Sequence, residues 1–374
     1  MRQGTPHETL TTALADSPQD GHAFCADKRT APWTTDQSSA TAIAALRARL
    51  RGATITPPDP GFDTARRVWN AAIDRRPLAV VVCADAEDAA QAVRIAADNG
   101  VRLTVRGGGH NVAGRCITDG TLLLDVAQLR DVAVNAEARI ATVQGGALWR
   151  DVDAATGRLG LATTGGVISS TGVGGLTLGG GVGWLMRKHG LASDNLVSAG
   201  VVLADGRFVR ASRETFPDLF WGLRGGGGGL AVVTDFEFRL HPLREVFAGL
   251  IVHPAEHAKN VLTAFREFAH AAPDEFCGLA ALLNAPPLPF LDPAWHGRPV
   301  IALAVCWAGD AEAGARALQP LQSSGRSVGE HIGLMPYTQW QQIQDASAPA
   351  GRFNYWKTAN FAALDDADKS TPDE

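Results

Sequence analysis

The residues with most chemical potential here are glycines. They gather in four places: Gly107–Gly109, Gly145 and Gly146, the stretch Gly172–Gly183, and Gly225–Gly229. Glycine lets a backbone approach a ligand closely and adopt positive φ, and the N–H groups freed by such loops can cradle phosphate oxygens. Taken singly, each cluster would be read as a turn. Directly after the first stands His110. A neutral imidazole nitrogen is a competent nucleophile near neutral pH.

Two familiar nucleotide patterns fit poorly. A Rossmann site needs G-x-G-x-x-G between a strand and its helix, with an acidic residue further on. GVGGLTLGGGVG can be forced onto that spacing, but no strand precedes it cleanly. A P-loop needs GK[ST], which the sequence lacks. A nicotinamide-dependent dehydrogenase therefore explains the glycine count and little else.

The elements that would position these loops follow from periodicity. Residues 78–83 are a short valine-rich run. Residues 85–99 carry apolar side chains at helical spacing (Ala89, Ala92, Val93, Ile95, Ala96) and end in Asn99-Gly100, a helix stop. Residues 101–105 predict the next strand, and RGGGH follows it directly. A further strand is expected over 122–125. This alternation implies a small parallel sheet. Residues 138–143, 197–203, 208–211 and 231–240 predict an antiparallel group, with Asp205-Gly206 as a turn and a short helix over 147–156. Beyond Pro242 the character changes. Strands are expected over 247–252 and 300–307, and helices over 255–271 and 312–318. A helix is also expected from about Thr41. Residues 1–40, without periodicity, predict a mobile tail.

Composition narrows the class. The chain has 374 residues, 45% hydrophobic and 20% charged, as expected of a globular protein with two domains. A net charge of -5 argues against nucleic acid as a partner. No apolar run approaches the ~18 residues of a membrane span, so no membrane association is expected. The five cysteines are widely spaced without a CxxC pair, so neither a disulfide framework nor a metal site is expected. With no signal peptide in evidence at the N-terminus, the expected location is the cytoplasm.

Five ordered motifs then carry a specific resemblance: VRGGGHNVAG (105–114), VQGGALWRDV (143–152), TTGGVISSTGVGGLTLGGGVGWLMRKHGLASDNL (163–196), VVLADGR (201–207) and DLFWGLRGGGG (218–228). Together they resemble the berberine-bridge-enzyme-like group of FAD-linked oxidases, which share the flavin fold of vanillyl-alcohol oxidase and p-cresol methylhydroxylase (PCMH). The likeness runs from about residue 65 to 242, with weaker support to about 363. It implies an α+β chain: a PCMH-type FAD-binding domain over 41–245, with a small parallel βαβ sheet and an antiparallel sheet, then an α+β substrate domain with an antiparallel sheet over 246–374.

The resemblance also implies residue roles. His110 falls where the family bonds a histidine to the flavin 8α-methyl carbon. The pyrophosphate is implied against Arg106, Gly107, Gly108, Gly109 and Asn111 and against Gly172, Gly174 and Gly175, with Gly146 beside them. Thr177 and Asn195 are implied polar contacts, Val233 lies in the stretch near the adenine, and Thr171 falls where oxygen access is influenced. Some members add a cysteinyl link at the position of Ile168, so a single covalent bond is expected here. His189 is read as structural and Cys116 as incidental. One motif departs from the family: the usual RGGGGNFGVVT is RGGGGGLAVVT at 224–234, which removes an asparagine side chain.

For function, the resemblance implies hydride transfer to FAD from a C–H beside an alcohol or amine of a small molecule, with molecular oxygen or another acceptor taking the electrons. FNYWKTANF (353–361) resembles a substrate-domain strand, which makes Tyr355 and Lys357 the substrate-facing candidates and Tyr355 a candidate base. The family's later Asn-Tyr-x-Asn stretch has no counterpart in the sequence, so the substrate domain is expected to be incomplete. An alternative expectation is accordingly a truncated, catalytically incompetent flavin-binding remnant. Substrate and oligomeric state are not legible.

Overall fold

A computed structural model describes residues 37–359. The parallel sheet forms as the sequence expects. Strand Leu122–Asp125 is buried throughout and lies between Ala79–Val82 and Leu103–Arg106, parallel to both, while Thr54–Ile55 adds an antiparallel edge. Helix Ala86–Asp98 covers this sheet with Ala89, Ala92, Val93, Ile95 and Ala96. Its start is set by Asp85, whose carboxylate accepts from the Asp88 N–H at 2.9 Å. Buried Asp88 in turn accepts from the N–H groups of Arg51, Gly52 and Ala84, so this carboxylate ties two connections to the helix.

The second sheet is antiparallel with five strands, in the order Val132–Asn135, Ile140–Gln144, Val232–Arg239, Leu196–Val202 and Phe208–Ser212. Asp205-Gly206 turns between the last two in sequence, with Gly206 at φ 78°. Its core joins Trp149, Phe220, Phe236 and Phe238. The third sheet, also antiparallel, runs Phe276–Asn284, Pro299–Trp307, Glu245–Pro254 and Gly329–Pro336. Helices Ala258–Ala271 and Ala311–Gln322 cover one face. The other face buries Trp184, Leu185, Tyr337 and Trp340, joining the third sheet to the long glycine stretch. Each such large side chain contributes about 1.5–3 kcal/mol when fully buried.

Several expectations are corrected. The expected tail over 1–40 lies outside the described residues except for its end, and 37–40 belong to helix Gln37–Arg49. Strands Val132–Asn135, Phe276–Asn284 and Gly329–Pro336 were not foreseen. The described part of FNYWKTANF forms no strand. Arg352 makes a single bridge with Asn70, and beyond it the Asn70 side chain takes the place of a partner strand, with Nδ2 donating to Asn354 O at 2.9 Å and Oδ1 accepting from Asn354 N at 2.9 Å. Cys277 and Cys306, far apart in sequence, face each other across two strands as free thiols, both buried. Among the described residues no helix is long and apolar enough to cross a membrane.

Candidate functional site

The first glycine loop leaves the carboxyl end of strand Leu103–Arg106, where parallel sheets place ligands. Arg106 is buried and faces inward. Its guanidinium donates to Asp125 Oδ2 at 2.5 Å and to Arg67 O at 2.9 Å. That pair clamps the ends of two neighbouring strands, so Arg106 supports the loop rather than reaching out from it. Gly109 adopts φ 63°, the left-handed region that suits glycine, and its carbonyl accepts from the Trp69 N–H at 3.1 Å.

Four segments meet here backbone to backbone. A Cβ on Gly108 would stand 2.6 Å from Gly172 Cα, and one on Gly172 would stand 2.5 Å from Gly108 N. A Cβ on Gly107 or on Gly174 would lie 3.0 Å from Gly145 O. One on Gly145 would lie 2.6 Å from Val233 O, and one on Gly146 would lie 1.9 Å from Val126 O. The glycines therefore serve mutual close approach. Gly175 is different: it is exposed, with open space where a Cβ would go. The N–H groups of Gly107, Gly108, Gly109, His110 and Asn111 meet no acceptor among the described residues. Five successive donors left free on a glycine loop suit an anionic oxygen cluster such as a pyrophosphate.

His110 closes that loop, half-buried. Its ring stacks on Trp69 with centroids 4.4 Å apart and planes 19° apart. Its Nε2 lies 3.4 Å from Ser170 Oγ. Burial holds its pKa below the usual histidine range, so the imidazole is neutral at pH 7 and keeps a nucleophilic lone pair. Thr171, next to Ser170, is partly buried; its N–H donates to Ile168 O at 3.0 Å and its carbonyl accepts from Trp149 N at 3.0 Å. Isoleucine 168 carries no sulfur for a second attachment.

Thr177 is buried in helix Val173–Leu178, and its hydroxyl has no partner there. Asn195 is structurally engaged: Nδ2 donates to His189 O and Leu191 O, both at 2.9 Å, and Oδ1 lies 2.7 Å from His241 Nε2. His189 stacks on His241 at 3.7 Å, which supports its structural reading. Burial, then the neighbouring histidine, pushes His241 down to about 4. Val233 contributes a strand carbonyl beside Gly145.

Tyr355 and Lys357 are exposed, with Lys357 Nζ 5.8 Å from the Tyr355 ring centre. Their segment nevertheless reaches the histidine's side of the molecule. Trp356 packs edge-on against Trp69 at 6.0 Å, and Asn354 is held by Asn70.

Sequence reasoning missed a buried polar cluster behind the 163–171 loop. Asp153 accepts from Gln341 Nε2 at 3.2 Å. Tyr337 is fully buried, and its hydroxyl has no partner among the described residues. Burial, with Asp345 nearby, pushes Asp153 up to about 7 against the opposing hydrogen bond from Gln341. Folding thus favours the protonated acid. Its stabilising contribution is full at low pH and is lost as pH rises through about 7. Asp153→Asn, a neutral mimic, should therefore raise the thermal midpoint over the parent by a few degrees at pH 8 and change it little at pH 5. Thermal melts of both proteins at the two pH values check this.

Comparison with known proteins is consistent with this geometry. Residues 77–212 match the FAD binding domain family model. The chain is 32% identical to (R)-6-hydroxynicotine oxidase of Paenarthrobacter nicotinovorans over 312 residues, covering 81% of this chain and 64% of that enzyme. The chain carries an FAD binding domain over residues 77–212 and is similar to FAD-linked oxidoreductases. A solved structure of glucooligosaccharide oxidase from Acremonium strictum, described as carrying 6-S-cysteinyl, 8α-N1-histidyl FAD, superposes with a TM-score of 0.69 at 28% identity, covering 84% of this chain and 65% of that one. The fold is also that of a berberine-bridge-enzyme-like protein of Physcomitrella patens, with a TM-score of 0.72 at 23% identity over 83% of this chain and 65% of that one. The chain spans just under two thirds of these relatives' lengths. The residues present fit the cofactor of this family. The free N–H run over 107–111 suits its pyrophosphate, and a neutral, half-exposed His110 lies within that run.

Proposed function

We propose that this chain is the flavin-binding part of an oxidase that removes a hydride from a carbon bearing an alcohol or amine, with FAD joined to the protein through His110 alone. The observation that carries this reading is the position of His110 within a run of five free backbone donors. When bound, FAD supplies the hydride acceptor and passes the electrons to oxygen or another acceptor.

The chain's own residues divide the remaining work. Gly107–Asn111 and the apposed Gly172–Gly175 segment hold the pyrophosphate through backbone donors. Val233 borders the adenine. Arg106 and Asp125 keep the loop at its height above the sheet. His110 anchors the ring edge, and Ile168 leaves it the sole attachment. Thr171 faces the route by which oxygen would enter. On the substrate side, Tyr355 is proposed to take the alcohol or amine proton and Lys357 to steer the substrate; both lie on the segment packed against Trp69. The two-domain division near residue 245 and a cytoplasmic setting complete the reading.

Named relatives act on a hydroxynicotine and on glucooligosaccharides, so a cyclic amine and an oligosaccharide are the first substrates to try. Anaerobic mixing with each, followed by flavin absorbance, is the test. Bleaching by one class and its reversal on admitting air are expected. A folded, flavin-loaded protein that neither class nor a wider alcohol and amine panel bleaches would overturn the reading.

A further inference from the structure

The loop that flanks His110 is held from behind by a distant stretch of chain. Asp345 accepts two hydrogen bonds from Ser169, from its backbone N at 2.7 Å and from Oγ at 2.5 Å. The next residue is Ser170, whose Oγ lies 3.4 Å from His110 Nε2. On the other side of the imidazole, Trp69 stacks at 4.4 Å. The Trp69 indole N–H donates to Ala348 O at 3.0 Å. The turn over 345–348 therefore holds the tryptophan directly, through Ala348, and Ser170 through its neighbour Ser169, which Asp345 binds.

We propose that Ser170 and Trp69 fix the His110 ring with Nε2 engaged, so that Nδ1, the nitrogen bonded to flavin in the glucooligosaccharide oxidase structure, is the one that reacts, and that Asp345 is the positioning residue that keeps Ser170 in place. This rests on the reading that FAD attaches at His110. In the attachment a C–N bond forms from Nδ1 to the 8α carbon. One methyl C–H and the imidazole N–H are lost, and dioxygen takes up the two hydrogens as hydrogen peroxide. Ser170 Oγ accepts from Nε2–H, which leaves the lone pair on Nδ1 and stabilises the charge that grows on the ring as the bond forms. Stacking on Trp69 prevents the ring flip that would exchange the two nitrogens.

The test separates attachment from binding. Total flavin per chain is read from the absorbance of the native holoprotein, and covalent flavin from fluorescence and intact mass after denaturation. Ser170→Ala and Asp345→Ala should retain bound FAD while the bond forms about tenfold more slowly, the worth of one hydrogen bond. Ser170→Thr, which keeps the hydroxyl, should restore the parental rate. Digestion of the parent should release a flavinyl-histidine linked at Nδ1. Should Asp345→Ala fail to fold, Ser170→Ala, which removes one oxygen, still decides. Parental attachment rates in Ser170→Ala, a linkage at Nε2, or total flavin lost in step with covalent flavin would overturn the proposal alone. A parent that binds FAD without any bond would overturn the underlying reading together with it.

Discussion

His110→Ala should yield a folded protein that still binds FAD but releases all of it on denaturation. The reasons are local. The imidazole is half-buried and carries no ion pair among the described residues, so its removal leaves a small gap against Trp69 and no stranded charge. The donors over 107–111 are backbone groups that alanine keeps. Flavin affinity should therefore survive while the covalent population falls from nearly all to none. Loss of the bond should also lower the flavin potential, slowing turnover by roughly tenfold, about 1.4 kcal/mol of barrier. Gel fluorescence before and after denaturation, with turnover measured alongside, checks both parts.

The second large effect is steric. Gly172→Ala would place a Cβ 2.5 Å from Gly108 N and 2.8 Å from Gly108 Cα, against backbone on both counts. Gly108→Ala meets Gly172 in the same way at 2.6 Å. Neither segment can give without separating the loops, so each variant should lose about 1–3 kcal/mol of stability, as overpacked sites do. Flavin content should fall with it. The double variant should lose less than the sum, because one displacement relieves both clashes. Gly175→Ala is the control: with nothing within 4 Å of its Cβ, it should melt like the parent. Denaturant unfolding of the four variants and the parent measures this, and equal stability of Gly172→Ala and Gly175→Ala would refute the packing argument.

Much of this architecture was legible before any coordinates. Strand Leu122–Asp125 was expected with the same bounds, because a short buried parallel strand reads as an unbroken apolar run. Helix Ala86–Asp98 announced itself through apolar residues at helical spacing and the Asn99-Gly100 stop. The glycine loops and His110 were legible because close approach demands glycine. The missed strands had weaker signals. Gly329–Pro336 is an edge strand, half-exposed along most of its length, so no alternation of apolar residues marks it. Cys277 and Cys306 became neighbours only through strand register.

The site's supporting residues were hidden for a different reason. Ser169 and Asp345 lie 176 positions apart, and Trp69 and Ala348 lie 279 apart. No local pattern records such pairings. Asp153 and Tyr337 look like surface residues in sequence, and burial alone reveals them. The motif around Asn195 suggested a polar cofactor contact, and its bonds to His189, Leu191 and His241 were not legible beside it.

The central claim is a single FAD bonded to His110, and intact mass of the denatured holoprotein tests it most directly. The account predicts one species at the mass of the chain plus one FAD less two hydrogens, with the label on the peptide containing His110 and absent from His110→Ala. A denatured chain at its unmodified mass, from a protein that was yellow when native, would contradict it.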